Sequence, residues 1–485
     1  MALTYEQALA WVERLYDSLA KRRPEVQQFD DYYRGKQRLV MASDIWREFH
    51  AERYRDYADN WCGVVTDAPA QRHRHTGVKL DDLDGDVSNA ERQVWRDWQR
   101  NDMDRQSAQG IVETMKSRRS FVLVWADGGG EPVNTWEDPS QVIVAYDPEY
   151  PGRKREAALK VWESDDATTE YATLYAPDGL YKFSRTKSRL ILPIGTGGWA
   201  PREVDNEPWP VPNPLGVVPV VEVPNRGPLN GEPLSEIGGV VPMQDAINLL
   251  WAYLFAAADH ASMPARMVLG MEAPSLPKLD ENGNDTGQRI PVDLKSFAMG
   301  RIGFLHQDGA EPKIDQWDAA KLDVFTDVIE VAVGHIAAQT RTPQHYLILG
   351  RNANPAAADA LTAAEAGLTA KCVDQQLFMS SGVREVHRLN ALVRGDRALA
   401  DALATAEMVW DDVENRSEAQ KADAATKWRT VGVPLRSLLG KYWSSDPQEI
   451  ARVMEAVEAE REDPAFERAL REFRAPEPVN AAPVD

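Results

Sequence analysis

What the 485-residue chain has least of is cysteine: only Cys62 and Cys372. They lie far apart, each inside a helical pattern, so two buried reduced thiols are expected rather than a disulfide or a metal pair. Long apolar runs are absent too. Nothing approaches the ~20 residues of a membrane span, and the opening MALTYEQALAWVERL is an amphipathic helix pattern carrying acidic residues, unlike a signal peptide. No membrane association is expected, and synthesis in the cytosol is. Positive charge is also scarce: 55 Lys and Arg against 76 Asp and Glu leave a net charge of −21. That balance argues against a surface that wraps nucleic acid, because such binding rests on cations neutralising phosphates. The same charge on the wall of a passage would keep a polyanion from sticking to it. With 43% hydrophobic and 27% charged residues, the chain can bury ordinary cores, and its length allows two to four units of ~150 residues.

Catalytic signatures are missing as well. There is no phosphate loop ending in Gly-Lys-Ser or Gly-Lys-Thr, no zinc-protease helix and no nucleophile elbow. The cluster LDDLDGDVSNAE offers Asp82, Asp84, Gly85 and Glu91 at calcium-loop spacings, but Leu80 occupies the first ligand position, so a turn is expected. The stretch ADGGGEPVN is glycine-rich but flanked by strand-like residues, with no helix N-terminus to hold a phosphate, and reads as a hairpin tip. His73 and His75 have no Cys or acidic partner at ligand spacing, so solvated surface or nucleic-acid contact is the expectation. His335 reads as a surface or interface histidine. No catalytic residue, metal or cofactor is assigned, and the chain is not expected to be an enzyme.

The elements that are present follow a clear order. Residues 4 to 23 and roughly 42 to 70 have helical spacing, and the second carries an aromatic stripe, Trp46, Tyr54, Tyr57 and Trp61. Two further helix patterns run through Trp95 and Trp98 and over 104 to 118. The period then changes: SFVLVWAD, QVIVAYD, EAALKVWE, TEYATLYAPDGLYKFSR and GVVPVVEV are short β-rich runs, predicting a mixed sheet built largely of hairpins. From Ser235, a candidate N-cap, a long helix is predicted with a kink at Pro242 and a polar face of Gln244, Asp245 and Asn248. A small β-rich insertion follows from about Ala265 to Trp317. The next helix spaces Leu322, Phe325, Ile329, Ala332, Val333 and Ile336 at three and four, so one side packs and the other faces water. After the loop described next, another long helix runs through Leu361, Leu368, Cys372, Met379, Val383 and Val386, with Gly382 as a possible bend. Beyond VWDDVENRS the chain is helical and charged, and its end, APEPVNAAPVD, reads as disordered.

Between these two long helices lies RTPQHYLILGRNANPAAADA, Arg341 to Ala360. Pro343, Gly350, Asn352, Asn354 and Pro355 break or cap helices, so this is a loop. Loops of this length inside a compact domain are usually functional or disordered, and Tyr346, Leu347, Ile348 and Leu349 are too apolar for disorder. The loop is expected to touch something.

Four blocks in this order resemble the bacteriophage portal proteins of long-tailed phages of actinobacteria: NWCGVVTDAPA, LSEIGGVVPMQDAINLLWAYLFAAADHASMPARMVLG, TRTPQHYLILGRNANPAAADALTAAEAGLTAK and SEAQKADAATKWRTVGVPLRSLLG. The sheet region from 120 to 225 matches in kind more than in detail. The resemblance implies an α+β portal fold and a ring, usually of about twelve subunits, at one capsid vertex, with double-stranded DNA passing through its centre. It divides the chain into a wing (1–233), stem helices (234–262 and 318–340) around a clip (263–317), a tunnel loop (341–354), a long wing helix and connection (355–410), a crown (411–474) and a tail (475–485). It also implies as partners the terminase large subunit, a head–tail adaptor, and major capsid and scaffold proteins, in a virion assembled in the host cytoplasm. On this basis Arg341, Gln344, His345, Arg351, Asn352 and Asn354 are expected at the DNA, and Tyr346, Leu347, Ile348 and Leu349 against neighbouring loops. Lys278, Asp280, Glu281, Asn282, Asn284 and Asp285 are expected to dock partners. The competing readings are a structural capsid or scaffold protein without a DNA channel and a nucleic-acid-processing enzyme.

Overall fold

The computed structural model describes residues 2–37, 58–80, 89–187, 198–204, 207–229, 231–262, 266–272, 274–280, 284–292, 302–305, 311, 313–316, 321–347, 358–414, 418–444 and 447–462. The calcium-like cluster at 81–88, the stripe residues Trp46, Tyr54 and Tyr57, and the C-terminal tail lie outside them.

Helix α1 (Tyr5–Tyr33) starts with a capping box, in which the Thr4 hydroxyl accepts from the Gln7 N–H and the Gln7 side chain accepts from the Thr4 N–H. It continues ten residues past the predicted end, through Pro24. The proline removes one backbone bond, but Val26, Phe29 and Tyr32 beyond it are buried, and that burial outweighs the break. Its N-terminal half lays Ala8, Val12, Leu15 and Leu19 on an antiparallel sheet. That sheet comprises β4 (Val142–Tyr146), β5 (Arg155–Glu163), β6 (Thr169–Tyr175), β7 (Gly179–Thr186) and β8 (Ala200–Pro201), in that order, with β9 (Val211–Pro212) also on β7.

A separate three-stranded antiparallel sheet holds β2 (Arg119–Ala126) between β3 (Pro132–Glu137) and β10 (Val220–Pro224). The β-rich runs therefore form two sheets, with every pair antiparallel. ADGGGEPVN is the β2–β3 hairpin tip, where Asp127 Oδ1 accepts from the Gly129 and Glu131 N–H groups.

Against the smaller sheet pack α3 (Asn89–Arg100), α4 (Met103–Ser117) and the 36-residue helix α8 (Ala358–Val393). A short ladder of β1 (His75–Lys79) with β16 (Glu407–Trp410) pins the region after α8, through α9 (Arg397–Leu403), back to the N-terminal half. Gly382 does not bend α8, which is one continuous helix. Its hydrogen lies against β10, where an added Cβ would sit 2.6 Å from the Glu222 carbonyl oxygen.

Helices α2 (Trp61–Ala70), α5 (Val241–Ser262) and α6 (Asp323–Thr340) share a third core with the end of α1. Ser235 caps the turn before α5 rather than α5 itself, accepting from the Ile237 and Gly238 N–H groups. Pro242 falls in the first turn of α5, where no N–H is needed, so it does not act as a kink. Between α5 and α6, β11 (Arg266–Leu269) pairs parallel with β14 (Ile302–Leu305) and antiparallel with β15 (Lys313–Gln316). A hairpin of β12 (Ser275–Leu279) and β13 (Asp285–Pro291) projects from it. A one-turn helix α7 (Gln344–Leu347) precedes α8. The C-terminal region holds α10 (Glu418–Thr430), α11 (Leu435–Leu438) with a π turn over Leu439–Trp443, and α12 (Pro447–Glu462). Both cysteines are free and buried.

Candidate functional site

Helix α6 ends in a Schellman turn. The Thr342 N–H reaches the Ala337 carbonyl at 3.0 Å, with Arg341 at φ +57°, the left-handed position usually filled by glycine. Arg341 is exposed, as are Gln344 and His345. Three sequence-predicted DNA contacts thus begin the loop on its solvent side. Arg351, Asn352 and Asn354, with Ile348 and Leu349, lie outside the described residues.

The other loop residues are engaged within the chain. Leu347 is buried with Val65, Ile336 and Ala337, which differs from the expectation that it packs on neighbouring loops. The Tyr346 hydroxyl accepts from Arg72 at 2.8 Å and donates to Glu365 at 3.0 Å. Arg72 also reaches Glu365 at 3.2 Å and the Val413 carbonyl at 2.7 Å. One guanidinium therefore ties Tyr346, within the loop, to Glu365 in the helix that follows it.

Beneath lies a buried polar network. Lys371 on α8, fully buried, donates to Glu236 at 2.9 Å and to the Thr340 carbonyl, one of the unpaired carbonyls ending α6, at 2.7 Å. The other Glu236 oxygen accepts from Gln375 at 2.8 Å and Asn225 at 3.2 Å. Burial alone would raise the Glu236 carboxyl, but Lys371, together with Asn225 and Arg226, holds it below the usual range. His73 Nε2 meets Gln375 at 3.0 Å.

His73 and His75 are buried, contrary to the surface expectation. They follow α2 into a strand that is covered by α3, α8 and β16. His75 sits among Trp95, Trp98 and Trp410, with its Nε2 3.0 Å from His387 Nε2. His75 Nδ1 faces the Val409 carbonyl at 3.0 Å, which can only accept. Nδ1 therefore carries the proton, Nε2 is bare, and His387 donates to it. Burial lowers both His73 and His75 to about 4, and lowers His387 well below its ordinary value.

The polar face of α5 is also turned inward. Gln244 and Asn248 are buried and accept the Trp61 and Asp59 N–H groups at 2.9 Å each, while Asp245 accepts the Tyr32 hydroxyl at 2.7 Å. Solvent instead meets α6, whose exposed side mixes Asp323, Asp327 and Glu330 with Val324, Val328, Val331 and His335. On the β12–β13 hairpin, Lys278, Asp280, Asn284 and Asp285 are exposed, and the Asn284 N–H donates to Asp280 at 2.8 Å. Glu281 and Asn282 lie outside the described residues. No described helix is long and apolar enough to cross a membrane.

A family model described as "Phage portal protein, SPP1 Gp6-like" matches residues 12–464. The chain belongs to this phage portal protein family. Among similar proteins, the portal protein of Mycobacterium phage L5 is 29% identical over 380 residues, covering 75% of this chain and 71% of its own. That of Mycobacterium phage D29 is 30% identical over 379 residues, with the same coverage. A solved structure titled "Neck of native GTA particle computed with C12 symmetry" covers 79% of this chain and 88% of its own, at 12% identity and a TM-score of 0.39.

In this portal-family chain, sequence patterns located the loop but not the residues anchoring it: Arg72, Glu236, Glu365, Lys371 and Gln375. A signal for two of them exists. Lys371 and Gln375 fall three and seven residues from Leu368, on the same helical face as Leu368 and Met379. Polar groups on a packing face call for buried partners.

Proposed function

We propose that copies of this chain close into a ring of about twelve subunits at one capsid vertex, through heterologous contacts. Double-stranded DNA passes through the ring, packaged by a terminase motor and later ejected. The observation carrying this reading is the family match across residues 12–464. Membership makes the chain a virion component. Assembly in the host cytoplasm, the terminase, adaptor, capsid and scaffold partners, and the absence of catalysis are part of the proposal.

On this reading residues 1–233 form the wing, 234–262 and 318–340 the stem, 263–317 the clip, 341–354 the tunnel loop, 355–410 the long wing helix and connection, and 411–474 the crown. The exposed acidic residues of α6, Asp323, Asp327 and Glu330, favour a wall that repels the phosphate backbone, so DNA slides. Sparse cations at the loop, Arg341 and Arg351, touch phosphates briefly. Exposed polar groups at the hairpin tip, Lys278 to Asp285, dock the motor and then the adaptor. The test is the double variant Arg341→Glu and Arg351→Glu in the phage: genome packaging or retention falls while rings still assemble. A normal yield of infectious particles from that variant contradicts the loop's role.

A further inference from the structure

A groove of about 660 Å³ opens where the turn between β4 and β5 meets the approach to β10 and the last third of α8. Its lining includes Val217, Val218 and Val221, of which Val217 is half-buried and the other two are buried in the chain's own cores. Its walls reverse the sign of the molecule: in a chain of net charge −21, Arg153, Lys154, Arg155, Arg384 and Arg388 line it against two carboxylates, Glu222 and Glu385.

Both carboxylates are already engaged. Glu385 accepts from Arg155 and, at 2.6 and 2.8 Å, from Arg388, and Glu222 accepts from Arg119 at 2.9 Å and from the Tyr146 hydroxyl at 3.0 Å. Lys154 is paired with Asp147 at 2.7 Å. Arg153, exposed, and Arg384, half-buried, have no carboxylate partner among the described residues, and Arg384 Nε is a buried donor with nothing to donate to. An unpaired buried donor is costly, and a guanidinium fork beside it matches a planar carboxylate.

We propose that this groove binds an acidic, partly apolar peptide segment of a partner protein. Volume and chemistry favour a peptide over a nucleic acid. The groove has the size of a small-ligand pocket, ~300–1,000 Å³, which takes a few side chains, whereas a duplex would touch only the rim. Carboxylates at Arg153 and Arg384, with an apolar neighbour over Val217, use the unpaired cations of the site. The inference is independent of ring closure and of the loop's role.

The test is fluorescence anisotropy on the full-length protein, with a short labelled peptide of alternating Glu and Val, its Gln–Val counterpart and a labelled DNA duplex. The Glu–Val peptide is expected to bind, more weakly as salt rises, and at least roughly tenfold more tightly than the Gln–Val peptide. Arg153→Glu with Arg384→Glu should weaken it by at least roughly tenfold. Arg153→Glu alone, in an exposed turn where misfolding is not at issue, should weaken it about threefold. Arg96→Glu, an exposed cation on α3, should change nothing. Equal binding of the two peptides, no binding of either, or undiminished binding by the groove variants overturns the proposal. So does tighter binding of the duplex that the groove variants abolish.

Discussion

Two buried polar arrangements set the behaviour of individual residues. Lys371 and Glu236 form an ion pair out of reach of water, with side chains 0% and 2% exposed. Removing one partner of such a pair strands a charge and costs about 3–5 kcal/mol. Lys371→Met is therefore expected to lose about that much in urea denaturation, and Lys371→Met with Glu236→Leu less than the sum of the two single losses. Additive losses would show that the two groups do not interact. The histidines are the second case. His73 and His75, with an ordinary pKa of 6.5, are held near 4 in the folded chain by burial, so folded protein binds fewer protons than unfolded protein between those values. Their contribution is fully present above pH 6.5 and is lost as pH falls, by up to about 1.4 kcal/mol per pH unit for each histidine. His387→Gln keeps a donor for His75 but removes one titrating ring. The melting temperature of this variant should fall less steeply than that of the native chain between pH 6.5 and 4.5, and an unchanged slope would contradict the buried, neutral state. The Lys371 pair left a trace in helical spacing, but the histidine cluster was not legible beforehand. QRHRHTG reads as polar surface because what covers it, Trp98, His387 and Trp410, comes from elsewhere in the chain.

Among the elements, periodicity carried most of the reading. Five β-rich runs became strands, the insertion between α5 and α6 became β11 to β15, and the apolar spacing of α6 placed Ile329, Val333 and Ile336 in the core. Pairing was less accessible, since two sheets and one sheet share the same alternation. The β1–β16 ladder joins residues more than 300 apart, which local pattern does not reach. Gly382 illustrates the same limit: a glycine within a helix reads as a bend, whereas here it allows α8 to lie against β10. Gly382→Ala should force the helix off the strand at a cost of about 1–3 kcal/mol, measured as a lower denaturation midpoint with unchanged slope. A variant as stable as the native chain would show that the contact is not tight.

At the scale of the whole molecule, charge and order of elements were the informative features. The acidic balance argued against a DNA-wrapping surface, and it returns as exposed carboxylates along α6. The four sequence blocks pointed to the family to which the chain belongs. The polar face of α5, by contrast, could be located but not assigned a neighbour: it anchors Asp59, Trp61 and Tyr32, and a helical phase defines a face without saying what meets it. The central claim concerns closure of copies around a channel. Negative-stain imaging of the purified full-length protein tests it most directly: the account predicts rings of roughly ten to thirteen subunits with an open centre, and particles the size of a monomer or dimer, or assemblies without a central opening, would contradict it.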